Sequence, residues 1–264
     1  MVVFERLGGW GLGNSLFQIA TTYAIAKRNN TTFAFPDDCA FRTKRFLEQN
    51  YFEKELPWIN FKQFRDFTRW GAGGIGYVEC PLVEGNILID GFFQSDKYFK
   101  DYKSEIINLF SLKQQYIDYL KNKYSSVINN PQSISLHIRR GDSMDNPHMQ
   151  LLEVEYFKKV VDRVGEDKTF IIFSDDIEWC TENLKFITNK VFIKEVDILE
   201  MHLMSLIKTN IITNSTFSWW GAYLGGSNTV YMPDPTTSWF TEKFYQDNTN
   251  TNTRDLKPEG WNII

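Results

Sequence analysis

The sequence predicts an α/β protein made of two halves, each a parallel sheet covered by helices. Three observations predict it. Short apolar runs alternate with stretches of helical character along most of the chain, the pattern of strand–helix–strand units whose right-handed crossovers build parallel sheets. The segment NNPQS (129–133) has the composition of a boundary near the middle of the chain. At 264 residues there is material for one large domain or two of about 130. The halves are therefore set at 1–130 and 131–264.

The elements follow in order. VVFERL (2–7) reads as the first strand, then a glycine turn and a helix from about Ser15 to Lys27. TTFAFP (31–36) is the second strand, and residues 37–85 read as irregular, with GAGGIG (71–76) as a loop. NILIDGFF (86–93) is a strand, with helices expected over about 96–125. Past the boundary, Ile134, Leu136 and Ile138 alternate with Ser135, His137 and Arg139, the period of a half-buried strand over 133–139. A helix over 153–164, strand TFIIFS (169–174) and a short helix near 177–184 come next. Strand KVFIK (190–194), a helix over 197–208, strand NIIT (210–213), a helix over 216–224 and strand TVYM (229–232) complete the alternation. The polar tail QDNTNTNTRD (246–255) reads as a surface loop.

Composition excludes several classes of function. A net charge of −4 leaves no basic field to recruit nucleic acid. Three cysteines, odd in number and without a CxxC, suggest neither a disulfide framework nor a thiolate zinc site, and point to a reducing compartment. The opening MVVFERLGGW lacks a basic segment followed by a long apolar run, so no signal peptide is expected. No window reaches the roughly 18 apolar residues of a membrane span. The expectation is a cytoplasmic protein, with peripheral association at a membrane face left open. Aromatic residues at 16% suit either cores or sugar stacking.

Four unusual stretches fall at strand-to-helix junctions, and in parallel sheets ligands bind outside the carboxyl ends of the strands. LGGWGLGNSLFQ (7–18) is neither GxGxxG nor a P-loop, and reads as a tight turn or as a loop under a phosphate or sugar, with Asn14 and Gln18 as polar groups. RRGD (139–142) places two arginines where a buried strand ends. Unpaired guanidinium groups are costly to bury, so they meet either a carboxylate such as Asp142 or the oxygens of a phosphate, which a guanidinium grips at two points. On an extended strand Arg139 and Arg140 point to opposite faces, and His137 shares the face of Arg139. Ser174, Asp175 and Asp176 are helix-capping groups or ligands for a nucleotide edge. NSTFS (214–218) offers Asn214, Ser215, Thr216, Phe217 and Ser218 at a helix N-terminus, where free amides favour a phosphate. Trp219 and Trp220 read as packing. There is no D-x-D, H-x-x-x-H or G-x-S-x-G, so metal-ion and serine-hydrolase chemistry lack support.

These stretches resemble a known family. LGGWGLGNSLFQIA is similar to the GGLGNQ-F-Q-A opening of the α-1,2-fucosyltransferases of glycosyltransferase family 11, and HIRRGD to their H-x-RRGD motif. GFFQSDKYF (91–99), FSDDIEWC, the run ending NSTFSWWGAYL, and KPEGWNII resemble further family segments in the expected order. The resemblance implies a GT-B-like fold of two Rossmann-like halves, with the C-terminal half binding GDP-fucose and the N-terminal half on the acceptor side. It implies inverting transfer of fucose to the 2-hydroxyl of a galactose-terminated oligosaccharide or glycolipid, with no metal and no other cofactor. By motif position Arg139 grips the donor diphosphate, and His137, Ser174, Asp175 and Asp176 lie about the guanosine. Asn214, Ser215, Thr216, Phe217 and Ser218 lie at the diphosphate, and Arg140 is structural. Gly11, Gly13, Asn14 and Gln18 lie on the sugar and acceptor side. Asn14 and Arg139 join Asp142, the candidate general base, as catalytic candidates, although Asp142 could equally pair with Arg140. The extra Trp10-Gly11 and Ser15 in place of the usual glutamine depart from the family opening, which leaves the acceptor least determined. A fucosyltransferase of another linkage, or a silent nucleotide-sugar or glycan-binding protein, are the alternatives.

Overall fold

The computed structural model describes residues 1–8, 11–60, 66–82, 84–226, 229–249 and 251–264, with Asp142 described by its backbone alone. The chain forms two compact units, Met1–Ile117 with Asn250–Pro258 and Asp118–Thr249 with Glu259–Ile264. The change of unit thus falls some dozen residues before the 130/131 boundary read from sequence, and a late segment returns to the first unit.

In the first unit, β1 (Val2–Phe4) leads into α1 (Leu12–Arg28), then β2 (Phe33–Pro36), the short α2 (Ala40–Arg42) with a π-helical turn Thr43–Glu48, β3 (Trp58–Ile59), β4 (Phe67–Gly71) and β5 (Asn86–Asp90). Helix α3 (Lys103–Leu109) follows, and the change of unit falls within α4 (Gln114–Lys123). The sheet runs β3-β2-β1-β5-β4 and is parallel throughout. Val2, Val3 and Phe4 are all buried, as a central strand covered on both faces requires. Most of α1 is buried too, because small and apolar residues surround it on every side.

Two expectations fail in this unit. Residues 37–85 contain β3 and β4: the first is two residues long, and the second carries exposed Thr68 and Arg69 along a sheet edge, so neither shows apolar alternation. The tail is no surface loop at its end, since Thr253, Asp255 and Leu256 are buried. Asp255 accepts hydrogen bonds from the Tyr77 amide at 2.9 Å and from Lys97 Nζ at 2.5 Å, so its polarity serves specific partners.

The second unit alternates more regularly: α5 (Ser125–Ile128), β6 (Ser133–Ile138), α6 (Val154–Val164), β7 (Thr169–Ser174), α7 (Ile177–Asn183), β8 (Lys190–Ile193), α8 (Asp197–Ser205), β9 (Thr209–Ile211), α9 (Thr216–Leu224), β10 (Thr229–Met232), α10 (Glu242–Asp247) and β11 (Asn262–Ile263). Its parallel sheet runs β11-β10-β9-β6-β7-β8. Ile134, Leu136 and Ile138 pack with Phe157, Val160 and Val161 of α6 and with Phe170 and Ile172 of β7. Burying each such side chain contributes about 1.5–3 kcal/mol. The half-buried reading of β6 is corrected, because all six of its residues are buried. Ser135 and His137 face a second covered side of the sheet rather than solvent. Strands β9, β6 and β7 are neighbours, so the loops after their carboxyl ends open at one edge.

Candidate active site

Strand register brings the RRGD and SDD stretches together. Ile138 pairs with Ser174 across β6 and β7, so the residues after each strand emerge at the same height. Arg139 Nη1 then meets Asp175 Oδ2 at 2.7 Å, and Arg140 Nε meets Asp176 Oδ2 at 3.3 Å. The Arg140 amide also donates to Asp175 Oδ1 at 2.9 Å. Asp176 Oδ1 caps α7 by accepting from the Trp179 amide at 3.0 Å, while the Asp176 amide donates to Ser174 Oγ at 3.0 Å. The glycine of RRGD has a local cause: a Cβ on Gly141 would stand 2.5 Å from Asp175 Oδ2.

The two arginines differ in their surroundings rather than through strand alternation, since the regular strand ends at Ile138. The guanidinium of Arg140 lies over the Trp179 ring, 4.1 Å from its centroid, as well as against Asp176. Arg139 keeps a third of its side chain accessible, twice the share of Arg140. Substituting Arg140 by lysine is expected to lower the melting temperature, because an ammonium cannot lie flat on the indole and also bond the carboxylate. Activity of the surviving folded enzyme should stay within a few-fold. Catalytic loss at an unchanged melting temperature, read by calorimetry beside the assay, would contradict this division.

On the other side of β6, buried His137 places Nδ1 3.2 Å from Thr213 Oγ1, with its ring against Phe217. Burial, reinforced by the charge of Arg139, pushes the imidazole down to about 3, so it is neutral at physiological pH. Helix α9 begins at Thr216 without a side-chain cap, although Ser215 stands at the N-cap position. Its first-turn amides are thus uncapped, and Thr216 and Phe217 at that turn are partly exposed.

Two residues expected at the ligand are turned into the protein. Ser218 is fully buried, its hydroxyl donating to Ser215 O at 3.2 Å. Asn214 donates through Nδ2 to Gln150 O at 2.5 Å and to Trp239 O at 3.1 Å, tying two loops together. Trp219 and Trp220 are fully buried, and Trp219 stacks on Tyr223 with centroids 4.6 Å apart. That is packing, as the sequence suggests.

The glycine stretch belongs to the first unit. Gly11 is the N-cap position of α1, and Gly13 and Asn14 lie in its first turn. Gln18 is buried one turn further on and donates through Nε2 to Gly91 O at 3.4 Å. Gly8 has φ +93°, and a Cβ there would stand 2.5 Å from the Phe41 amide nitrogen, so chain packing dictates this glycine. Gly9, Trp10 and the Asp142 side chain lie outside the described residues.

The comparison with known proteins bears on this geometry directly. The family model described as glycosyl transferase family 11 matches residues 10–263. The chain belongs to that family. Among its relatives, an alpha-1,2-colitosyltransferase of Escherichia coli is 28% identical over 299 residues, spanning 98% of this chain and 98% of its own. The O-antigen biosynthesis glycosyltransferase WbnK of Escherichia coli is also 28% identical, over 90% of this chain and 95% of its own. A galactoside 2-alpha-L-fucosyltransferase of Bos taurus, SEC1, is 24% identical over 84% of this chain and 64% of its own. In three dimensions the chain is similar to the NodZ alpha-1,6-fucosyltransferase, in a crystal soaked with GDP-fucose. The TM-score is 0.60 at 13% identity, covering 91% of this chain and 97% of that one. The fold is accordingly GT-B-like, two parallel-sheet α/β units, as expected.

For a family 11 glycosyltransferase, three residues in this arrangement escape motif reading. Thr213 precedes the NSTFS stretch and is seen only once β9 is placed beside β6. Trp179 lies within FSDDIEWC, but its use by Arg140 depends on the first turn of α7. Gln94, in GFFQSDKYF, donates to Asn14 Oδ1 at 2.8 Å; only its place in a family segment could have signalled it. Among the described residues no group of three or more histidine, cysteine, aspartate or glutamate side chains is arranged to hold a metal ion. No described helix is long and apolar enough to cross a membrane.

Proposed function

We propose that this family 11 enzyme transfers L-fucose from GDP-fucose to the 2-hydroxyl of a galactose-terminated glycan, with inversion and without a metal. The observation that carries the reading is the placement of partly accessible Arg139 at the shared carboxyl edge of β9, β6 and β7, the edge where the uncapped turn of α9 also emerges. Cationic and amide donors in that position suit a departing diphosphate. The acceptor oxygen attacks the anomeric carbon as its bond to the β-phosphate oxygen breaks. The electron pair leaves with GDP, and the hydroxyl proton passes to a base, for which Asp142 is our candidate. A preorganised guanidinium stabilises the charge that develops on the leaving group. Asp175 holds that guanidinium in place before the donor arrives. Buried His137 and Thr213 form the wall beneath, with Ser174 at the end of β7 and Asp176 at the N-cap of α7 supporting the arginine pair. In the first unit, Asn14 with Gly11, Gly13 and Gln18 forms the sugar and acceptor side.

A second donor is favoured by one specific relative, the alpha-1,2-colitosyltransferase. Colitose is fucose without its 3-hydroxyl, so the two donors differ by one polar group and share the diphosphate. Incubation with GDP-fucose and with GDP-colitose, each against a panel of galactosides and followed by linkage analysis of the product, separates the possibilities. A 1→2 fucoside is the expected product. Another linkage, exclusive use of GDP-colitose, or nucleotide binding without transfer would each displace this reading. Transfer should also survive chelation, because Arg139 and helix amides take the role a cation plays elsewhere. Loss of activity in EDTA with recovery on adding Mg²⁺ or Mn²⁺ would refute the metal-free account.

A further inference from the structure

We infer that Gln94 is a positioning residue that fixes which end of the Asn14 carboxamide is presented to a ligand. This rests on the reading of Asn14 as a sugar-side group. Gln94 is 5% exposed and follows β5, the neighbour of β1 in the sheet, while Asn14 lies in the first turn after β1. The contact therefore forms at the carboxyl edge of two adjacent central strands, where ligands of parallel sheets bind.

Three features that weaken the fold converge on this contact. Among the described residues the buried Oε1 atom of Gln94 has no hydrogen-bond partner, and the same holds for Oε1 of Gln18, one turn from Asn14 along α1. Native structures leave few such oxygens unsatisfied, and an apolar side chain of similar shape would avoid the penalty. Phe93, fully buried and immediately before Gln94, has φ +54°, a left-handed conformation that a bulky residue rarely adopts. Strain of this kind persists where the surroundings over-determine it, most often at functional sites. Here the strained turn is pinned by the Ser95 amide donating to Phe93 O at 2.7 Å, and it delivers Gln94 Nε2 to Asn14 Oδ1 at 2.8 Å.

The consequence is chemical. With Oδ1 engaged, Asn14 is turned so that Nδ2 is its free end. Among the described residues no acceptor takes the Nδ2 protons, and the side chain is partly exposed. Asn14 is thus set as a donor, suited to an oxygen lone pair of a sugar. Without Gln94 the carboxamide can rotate and offer its oxygen instead.

The test uses the full-length enzyme with Gln94→Met, Gln94→Glu and Asn14→Ala. Gln94→Met should leave the melting temperature unchanged or raised, because an orphaned buried oxygen is removed; a glutamine with a merely structural role would lower it. Its kcat should fall about ten- to a hundredfold, the range for a small misplacement of a reacting group, with KM for the nucleotide sugar within about twofold. Combined with Asn14→Ala it should add no further loss, since both act through one hydrogen bond. Gln94→Glu should be worse than methionine, because a carboxylate draws Nδ2 towards itself and turns Oδ1 outward. Wild-type kcat in Gln94→Met, or losses that multiply in the double variant, would overturn the inference. If the wild type transferred neither fucose nor colitose, the functional reading would fail separately. The positioning would then be decided by ¹⁵N NMR of the Asn14 side-chain amide, whose protons should lose their fixed environment in Gln94→Met. An unchanged amide signal overturns the inference whatever the activity.

Discussion

Replacing Arg139 with lysine should lower the rate of transfer by about two to three orders of magnitude, the range for removing one preorganised donor from a developing negative charge. Arg139 Nη1 sits 2.7 Å from Asp175 Oδ2, so the protein fixes the planar fork at a carboxylate before a diphosphate arrives. An ammonium on a flexible stem can pair with Asp175 or with the ligand, and has no fixed geometry for both. Affinity should fall as well. Arg139→Ala is expected to weaken GDP by about 1.5–3 kcal/mol, the scale of a lost charge-assisted hydrogen bond, or roughly ten- to a hundredfold in Kd. Asn14→Ala, altered in the other unit, should weaken turnover more than GDP affinity. Calorimetry with GDP on the two alanine variants reads this directly. Equal losses of affinity would show that the donor depends on both units alike, and the division of labour proposed above would fall.

What the sequence disclosed, and what it did not, follows from the range of the forces involved. The spans Thr169–Ser174, Thr216–Leu224 and Thr229–Met232 were legible residue for residue, because buried parallel strands and their covering helices impress long apolar runs. Strands β3 and β4 were not, since a two-residue strand and a charged edge strand carry no such run. The RRGD stretch announced itself as a place where buried charge needs a partner, and Asp142 was the local choice. Two partners that no local reading offers, Asp175 and Asp176, lie 36 residues on in each case and are supplied by the register of β6 against β7. Ser218 shows the opposite error. A serine at the start of a helix suggests a ligand-facing hydroxyl, yet the third residue of α9 already faces the core. Helical phase, unlike residue type, is fixed by packing.

Acidification should destabilise the second unit from about pH 6.5 downward. His137 is buried and His202 half-buried with its Nε2 enclosed, and the loss of solvent pushes them down to about 3 and about 4, with the charge of Arg139 a second cause for His137. The unfolded chain takes up a proton at each near its ordinary 6.5. Below that pH the unfolded state binds more protons than the native one, so stability is lost as pH falls from about 6.5 until the folded values are reached. Each site contributes about 1.4 kcal/mol per pH unit across that window. Between pH 7 and pH 5 the two together remove about 4 kcal/mol, a large share of the 5–15 kcal/mol typical of a domain. Glu200, in the same unit, works in the opposite sense, since burial raises its carboxyl and the native state holds that proton more tightly. His202 lies on α8, outside the proposed site, and its Nε2 has no partner among the described residues, so it can be replaced without touching the chemistry. In His202→Leu the loss of stability between pH 7 and pH 5 should shrink by about half, to roughly 2 kcal/mol. Melting curves of wild type and variant at the two pH values decide the matter. At about 2–4 °C per kcal/mol, the variant should retain several degrees more at pH 5 relative to its own value at pH 7. Parallel pH dependence in the two proteins would mean that His202 is not held neutral, and that acid sensitivity arises elsewhere.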